Sequence, residues 1–189
     1  MIYFQQRYKI STNNRAWGPA NQNEELQLKT KSAITRNWLP RYTGVQLEDF
    51  GEYFLLTNFQ NYVEKFAKIF NVPVNGQGRP FQSATNKDGL TIINFGMGSS
   101  NAATCMDLLS SVKPQGVLFL GKCGGLKKST EIGHFILPVA AIRGEGTSDD
   151  YLPPEVPAMP SFKLHKYVSE KIIEAGLDYR TGVVYTTNR

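Results

Sequence analysis

Two glycine-bracketed turns carry the residue types best suited to hold an anion. The first, Gly96-Met97-Gly98, runs directly into Ser99, Ser100 and Asn101; the second, Gly121-Lys122-Cys123-Gly124-Gly125, includes a lysine. Glycine leaves backbone N–H groups bare, and a helix that starts behind such a turn adds its dipole, so phosphate is the natural guest of the first turn. Glycines and small residues also make ordinary tight turns, so the chemistry depends on what holds them.

The elements around these turns read as strand, loop, helix, strand. Residues 90–95 are an almost wholly apolar, β-branched run of the kind found in a strand buried on both faces. Ser99, Ser100 and Asn101 are suited to cap a helix, and Ala102, Ala103, Met106, Leu109 and Val112 recur every three or four residues as one buried stripe. Residues 117–120 repeat the strand pattern. In a parallel βαβ unit both exits are expected at the carboxyl ends of neighbouring strands, where open α/β sheets bind ligands.

The rest of the chain fits around this unit. Residues 1–28, rich in Gln, Asn and aromatic residues without either period, read as an N-terminal extension of a composition that fits disorder. A short helix is expected over 29–38, ended by Leu39-Pro40. A strand over 51–56 leads to Thr57 and Gln60, spaced as a capping box. The helix behind it carries Phe59, Tyr62, Val63, Phe66, Ile69 and Phe70 on one face. Residues 71–89 hold turn formers around a brief strand at 72–74, and 134–142 read as one strand. Residues 143–160 contain four prolines and no apolar period, a long loop whose Arg143, Glu145, Thr147, Ser148, Asp149, Asp150 and Tyr151 suit a binding or lid role as well as a solvated crossover. A helix over 161–175 stops at Gly176, and a strand over 182–187 ends in the polar residues Thr186, Thr187, Asn188 and Arg189.

The 189 residues suit one domain, and the net charge of +5 is spread along the chain. The densest basic group, Lys122, Lys127 and Lys128, surrounds the second glycine turn, which favours anionic small molecules over nucleic acid. Two cysteines without C-x-x-C spacing, with only His134 and His165 beside them, support neither a disulfide framework nor a metal site. No leader pattern or membrane-length apolar run is present, so no membrane partner is expected and the cytoplasm is the default.

Several stretches together resemble the AMP nucleosidases of the nucleoside phosphorylase superfamily: NWLPRYTG (37–44), EDFGEYFLLTNF (48–59), NFGMGSSNA (94–102), LFLGKCGGL (118–126), GHFILPVAAIRGEGTSDDYLPPEVPA (133–158) and TGVVYTTNR (181–189). The resemblance covers 29–189, read as a partial catalytic domain. It implies an α/β fold, a three-layer αβα sandwich around a mixed central sheet, C-terminally incomplete. It further implies hydrolysis of the N-glycosidic bond of AMP to adenine and ribose 5-phosphate, no metal or organic cofactor, and a homo-oligomer, usually a hexamer. Relatives use phosphate in place of water.

By the resemblance, Gly96, Gly98, Ser99, Ser100 and Asn101 match the phosphate and ribose loop; Arg143, read from the residues alone, suits a phosphate or a plain surface ion pair. Lys122, Cys123 and Gly124 match the exit beside the base, and Thr186, Thr187 and Asn188 begin the segment that closes over the purine. Relatives often have proline where Ser99 or Ser100 stands. The family's Met-Glu and Ser-Asp acidic motifs are expected beyond Arg189, so the catalytic acid is not assigned. A purine leaves readily only when N7 is protonated, which requires a carboxylic acid held near the operating pH; Glu145, Asp149, Asp150 and Glu155 are the local candidates. Two other readings stay open: a nucleoside phosphorylase or nucleosidase acting on an unphosphorylated nucleoside, and a non-catalytic nucleotide-binding subunit if the chain ends naturally at Arg189.

Overall fold

The computed structural model describes residues 30–188, so the extension expected over 1–28 lies outside the described residues. Helix α1 (Lys31–Thr43) starts at Thr30, whose hydroxyl accepts from Ala33 N at 3.2 Å. It runs through Pro40 rather than ending before it. Proline removes one backbone bond, but Leu39 and Thr43 are fully buried on either side and hold the last turn in place. Gly44, at φ 74°, then closes the helix by donating to Pro40 O at 2.8 Å.

Strand β1 (Tyr53–Thr57) leads to α2 (Gln60–Phe70), then β2 (Gln82–Thr85), β3 (Leu90–Asn94), α3 (Ser99–Leu109) and β4 (Gly116–Leu120). The four strands form one mixed sheet in the order β2-β3-β1-β4, with β1 parallel to both β3 and β4 and β2 antiparallel to β3. β2 is the strand that patterning misses. Gln82-Ser83-Ala84-Thr85 has weak strand preference, and pairing against β3, with Ser83 and Ala84 fully buried, makes it one. The bridge between Asn75 and Ser83 replaces the brief strand expected at 72–74.

Alternation along each strand decides which helix covers which face. Phe54, Leu56, Ile93, Phe95 and Val117 pack with Leu39 of α1 and with Cys105, Leu108 and Leu109 of α3. On the other face Ile92 and Ala84 pack with Val63, Phe66 and Ala67 of α2. The result is the expected three-layer αβα sandwich with a mixed central sheet.

Beyond β4 the chain forms β5 (Phe135–Ile136), β6 (Ala140–Gly144), α4 (Phe162–Glu174), β7 (Tyr179–Arg180) and β8 (Val183–Thr187), with β5 parallel to β7 and β6 parallel to β8. The single strand expected over 134–142 is split in two. Leu137 N donates to Arg180 O at 2.9 Å and Val139 N to Gly182 O at 3.0 Å. Pro138, between them, has no N–H to give. No helix among the described residues is long and apolar enough to cross a membrane.

Candidate functional site

The sheet register sets the carboxyl ends of three strands level, because Thr57 lies opposite Asn94 on one side and Leu120 on the other. The two glycine exits are therefore not on neighbouring strands, as the sequence suggests. β1 sits between them, since only it pairs on both edges with parallel partners. Its own exit, Thr57-Asn58-Phe59, becomes the middle of the site. Sequence reasoning missed Asn58 and Phe59 as site residues, although an apolar run ending in polar residues is the signal that also marks the flanking exits.

Side chains tie these exits together. The Asn94 amide donates to Gln60 Oε1 at 3.0 Å, and its oxygen accepts from Gly96 N at 2.9 Å, so the start of α2 fixes the start of the glycine turn. Gln60 thus serves β3 instead of a capping box, and Thr57 accepts from Phe59 N at 3.2 Å. Gly96 has φ 79°, and Gly98 has φ 96° with ψ 153°, a backbone region that residues other than glycine avoid. Gly98, and not a serine or Asn101, is the N-cap of α3. Asn101 instead donates back to Met97 O at 3.1 Å, and Met97 is 80% exposed, so the turn faces open solvent.

On the far side, Lys122 Nζ sits 4.4 Å from the Phe59 ring centroid and 5.8 Å from that of Tyr62. Stacking on these rings directs the ammonium toward the middle exit. Asn58 Oδ1, at that same exit, is buried without a hydrogen-bond donor among the described residues. Cys123 and Gly124 continue into an exposed irregular loop.

The long stretch after β6 folds over the serine end of α3. The 3-10 turn Thr147–Asp150 brings Thr147 Oγ1 to 2.9 Å from Ser99 Oγ and 3.4 Å from Ser100 Oγ. Tyr151 OH donates to Asp107 Oδ2 at 3.1 Å, and burial together with this contact pushes the phenol up to about 12. Arg143 holds the stretch from within. Its Nη2 donates to Asp149 Oδ1 at 2.8 Å and to the carbonyls of Leu152 and Pro153 at 2.9 Å, while Nε and Nη1 are buried without partners among the described residues. The guanidinium is thus turned into its own loop. Across the β6–β8 register Thr186 lies opposite Arg143 and Thr187 opposite Gly144, with Asn188 following, so the polar end of β8 leaves beside the same loop.

Glu145 does not meet the requirement for a proton donor. Burial acts to raise the Glu145 carboxyl, but hydrogen bonds from the Ser148 hydroxyl, the Ser148 and Thr147 backbone and the Ser99 hydroxyl outweigh it and hold the group below its ordinary value, as an anion. Asp149 is paired with Arg143. Among the described residues no group of three or more His, Cys, Asp or Glu side chains is placed to hold a metal ion. A cleft lined by Arg36, Glu48, Phe50 and Val112 lies at the amino end of β1, the wrong end of the sheet for these exits.

Residues 52–189 match the phosphorylase superfamily. The chain is 56% identical to an AMP nucleosidase of Bacteroides thetaiotaomicron of known crystal structure, superposing with a TM-score of 0.82 over 85% of this chain and 70% of that one. It is 26% identical to the AMP nucleosidase of Escherichia coli K12 over 194 residues, covering 79% of this chain. It is also 26% identical to the uridine phosphorylase of Treponema pallidum over 147 residues, covering 76% of this chain and 57% of that one. The chain spans 40% of the length of the E. coli AMP nucleosidase.

Proposed function

We propose, from the premise that this chain belongs to the phosphorylase superfamily, that it forms the nucleotide-holding part of an enzyme that hydrolyses the N-glycosidic bond of AMP to adenine and ribose 5-phosphate. The observation that carries this reading is the 56% identity to an AMP nucleosidase across most of the chain. The three level strand exits supply a compatible geometry. Gly96 and Gly98, with Ser99, Ser100 and Asn101, take the phosphate and ribose, and Arg143 supports them by fastening the loop that docks on the serines. Lys122, Cys123 and Gly124 flank the base from β4, and Thr186, Thr187 and Asn188 close over it.

Cleavage develops oxocarbenium character on the ribose and negative charge on the purine, so rate depends on fixed dipoles at the first and a proton delivered to N7 of the second. Glu145, held as an anion, serves neither as that acid nor as its reservoir. The test is the full-length protein incubated with AMP, with adenine release followed by chromatography. Release without added phosphate is expected; no release from AMP overturns the reading.

A phosphorylase reading is favoured by the similarity to a uridine phosphorylase. It predicts that product forms only with orthophosphate and that the unphosphorylated nucleoside is preferred. Assembly as a homo-oligomer, a hexamer by resemblance, belongs to the same proposal and is checked by light scattering.

A further inference from the structure

A phosphate monoester carries a charge of about −1.5 to −2 at neutral pH, and bare backbone N–H groups bring it dipoles but no full opposite charge. Arg143 does not bring one. Only 6% of its side chain reaches solvent, and its Nη2 is spent on Asp149 Oδ1 and on the Leu152 and Pro153 carbonyls of its own loop. Lys122, by contrast, is a cation that side-chain contacts hold at the strand exits. Its Nζ lies 4.4 Å from the Phe59 ring centroid and 5.8 Å from that of Tyr62. The two rings meet edge to face, with centroids 5.6 Å apart at an angle of 66°, so each steadies the other where the ammonium rests.

Lys122 follows β4, and the rings that hold it belong to the β1 exit and the first turn of α2. β3 and β4 are separated by β1, two strand spacings or about 10 Å. An ammonium drawn from β4 onto the β1 exit therefore covers about half the distance to the Gly96–Gly98 turn on β3. We infer that Phe59, backed by Tyr62, is a positioning residue that aims the Lys122 ammonium at the phosphate of the bound nucleotide, so that Lys122 selects AMP over adenosine; this rests on the nucleotide reading above. The backbone of Lys122 stays beside the base with Cys123 and Gly124, while its ammonium, at the end of a flexible stem, serves the other end of the ligand. Lys122 is exposed, so without the rings its ammonium would sample many rotamers and pay more entropy to meet a phosphate. A phosphate between the N–H row and this ammonium is met from two sides. Phe59 acts through Lys122.

The test measures calorimetric affinity of the full-length protein for AMP, adenosine and ribose 5-phosphate, a readout that needs no turnover and separates the phosphate from the base. Wild type is expected to bind AMP at least about tenfold more tightly than adenosine. Lys122→Met keeps the length of the stem without the charge, and it should weaken AMP and ribose 5-phosphate alike, by about tenfold, while adenosine stays within about threefold. Phe59→Leu should weaken the same two ligands about two- to fivefold, the worth of an exposed cation–π contact, and Phe59→Tyr, which keeps the ring, should bind as wild type does. Added to Lys122→Met, Phe59→Leu should cost nothing further, as expected for groups acting in series. Equal loss of AMP and adenosine affinity in Lys122→Met, or undiminished binding of ribose 5-phosphate, would put the ammonium at the base and overturn the inference. So would a Phe59→Leu variant that weakens all three ligands equally or none of them, or a wild type that binds AMP and adenosine alike or binds neither. Wild-type AMP binding without adenine release overturns the proposed reaction, and the affinity ratios then still decide the roles of Lys122 and Phe59.

Discussion

Substituting Gly98 by alanine separates what a glycine-rich turn supplies by conformation from what it supplies by space. At φ 96° and ψ 153° Gly98 occupies a region essentially reserved for glycine, and holding another residue there costs about 1–3 kcal/mol. Space is not the obstacle, because a Cβ built at Gly98 meets no heavy atom within 4 Å. The same is true of Gly182, between β7 and β8, which lacks a positive φ and serves as the control. For a chain of this size, 1–3 kcal/mol corresponds to a fall of roughly 2–12 °C in melting temperature. Where the loop relaxes locally instead, the strain appears as a reoriented N–H row and a higher KM for AMP. Thermal melting followed by circular dichroism and AMP kinetics on the full-length protein measure both. Gly98→Ala is expected to lower Tm or raise KM about tenfold, and Gly182→Ala to change neither. If the two variants behave alike, the backbone of Gly98 is not what the turn requires.

Other expectations follow from the same geometry. Burial pushes the Cys105 thiol up to about 12 and Cys123 is exposed, so a thiol reagent should modify one cysteine in the native protein and both in denaturant; rapid native modification of Cys105 would contradict its place in the core. Arg143→Ala removes the Nη2 contacts to Asp149 and to the Leu152 and Pro153 carbonyls, at a cost of about 1–3 kcal/mol; limited proteolysis should then cut within 145–153 faster than in wild type. The folded-state value of Glu145 lies below the ordinary 4.5, so its contribution to stability is present above that pH and disappears as pH falls through the depressed value. Glu145→Gln should therefore lose less melting temperature than wild type between neutral pH and about pH 3, which a pair of thermal scans reads directly.

Local chemistry in the sequence determined the glycine exits and the two helices α2 and α3, because apolar periodicity and glycine spacing act within a few residues, but tertiary packing chose their buried faces: Ala67 in place of the exposed Ile69 and Phe70, and Cys105 and Leu108 beside the expected Leu109. The three-layer class came from the family resemblance, while the alternation of apolar strand and amphipathic helix by itself gave only the central βαβ unit. Contacts between distant segments decided the rest. β2 is a strand because β3 lies beside it, α1 continues through Pro40 because Leu39 and Thr43 are buried against neighbours, and Pro138 splits a run that patterning joins. Residues 143–160 look structureless along the chain, yet Arg143 and Thr147 fasten them to carbonyls and hydroxyls as far away as Ser99. The order of the strands was likewise invisible. Hydrogen bonding on both edges of β1 places Asn58 and Phe59 between the two glycine turns, and no spacing in the sequence encodes which strand becomes the central one.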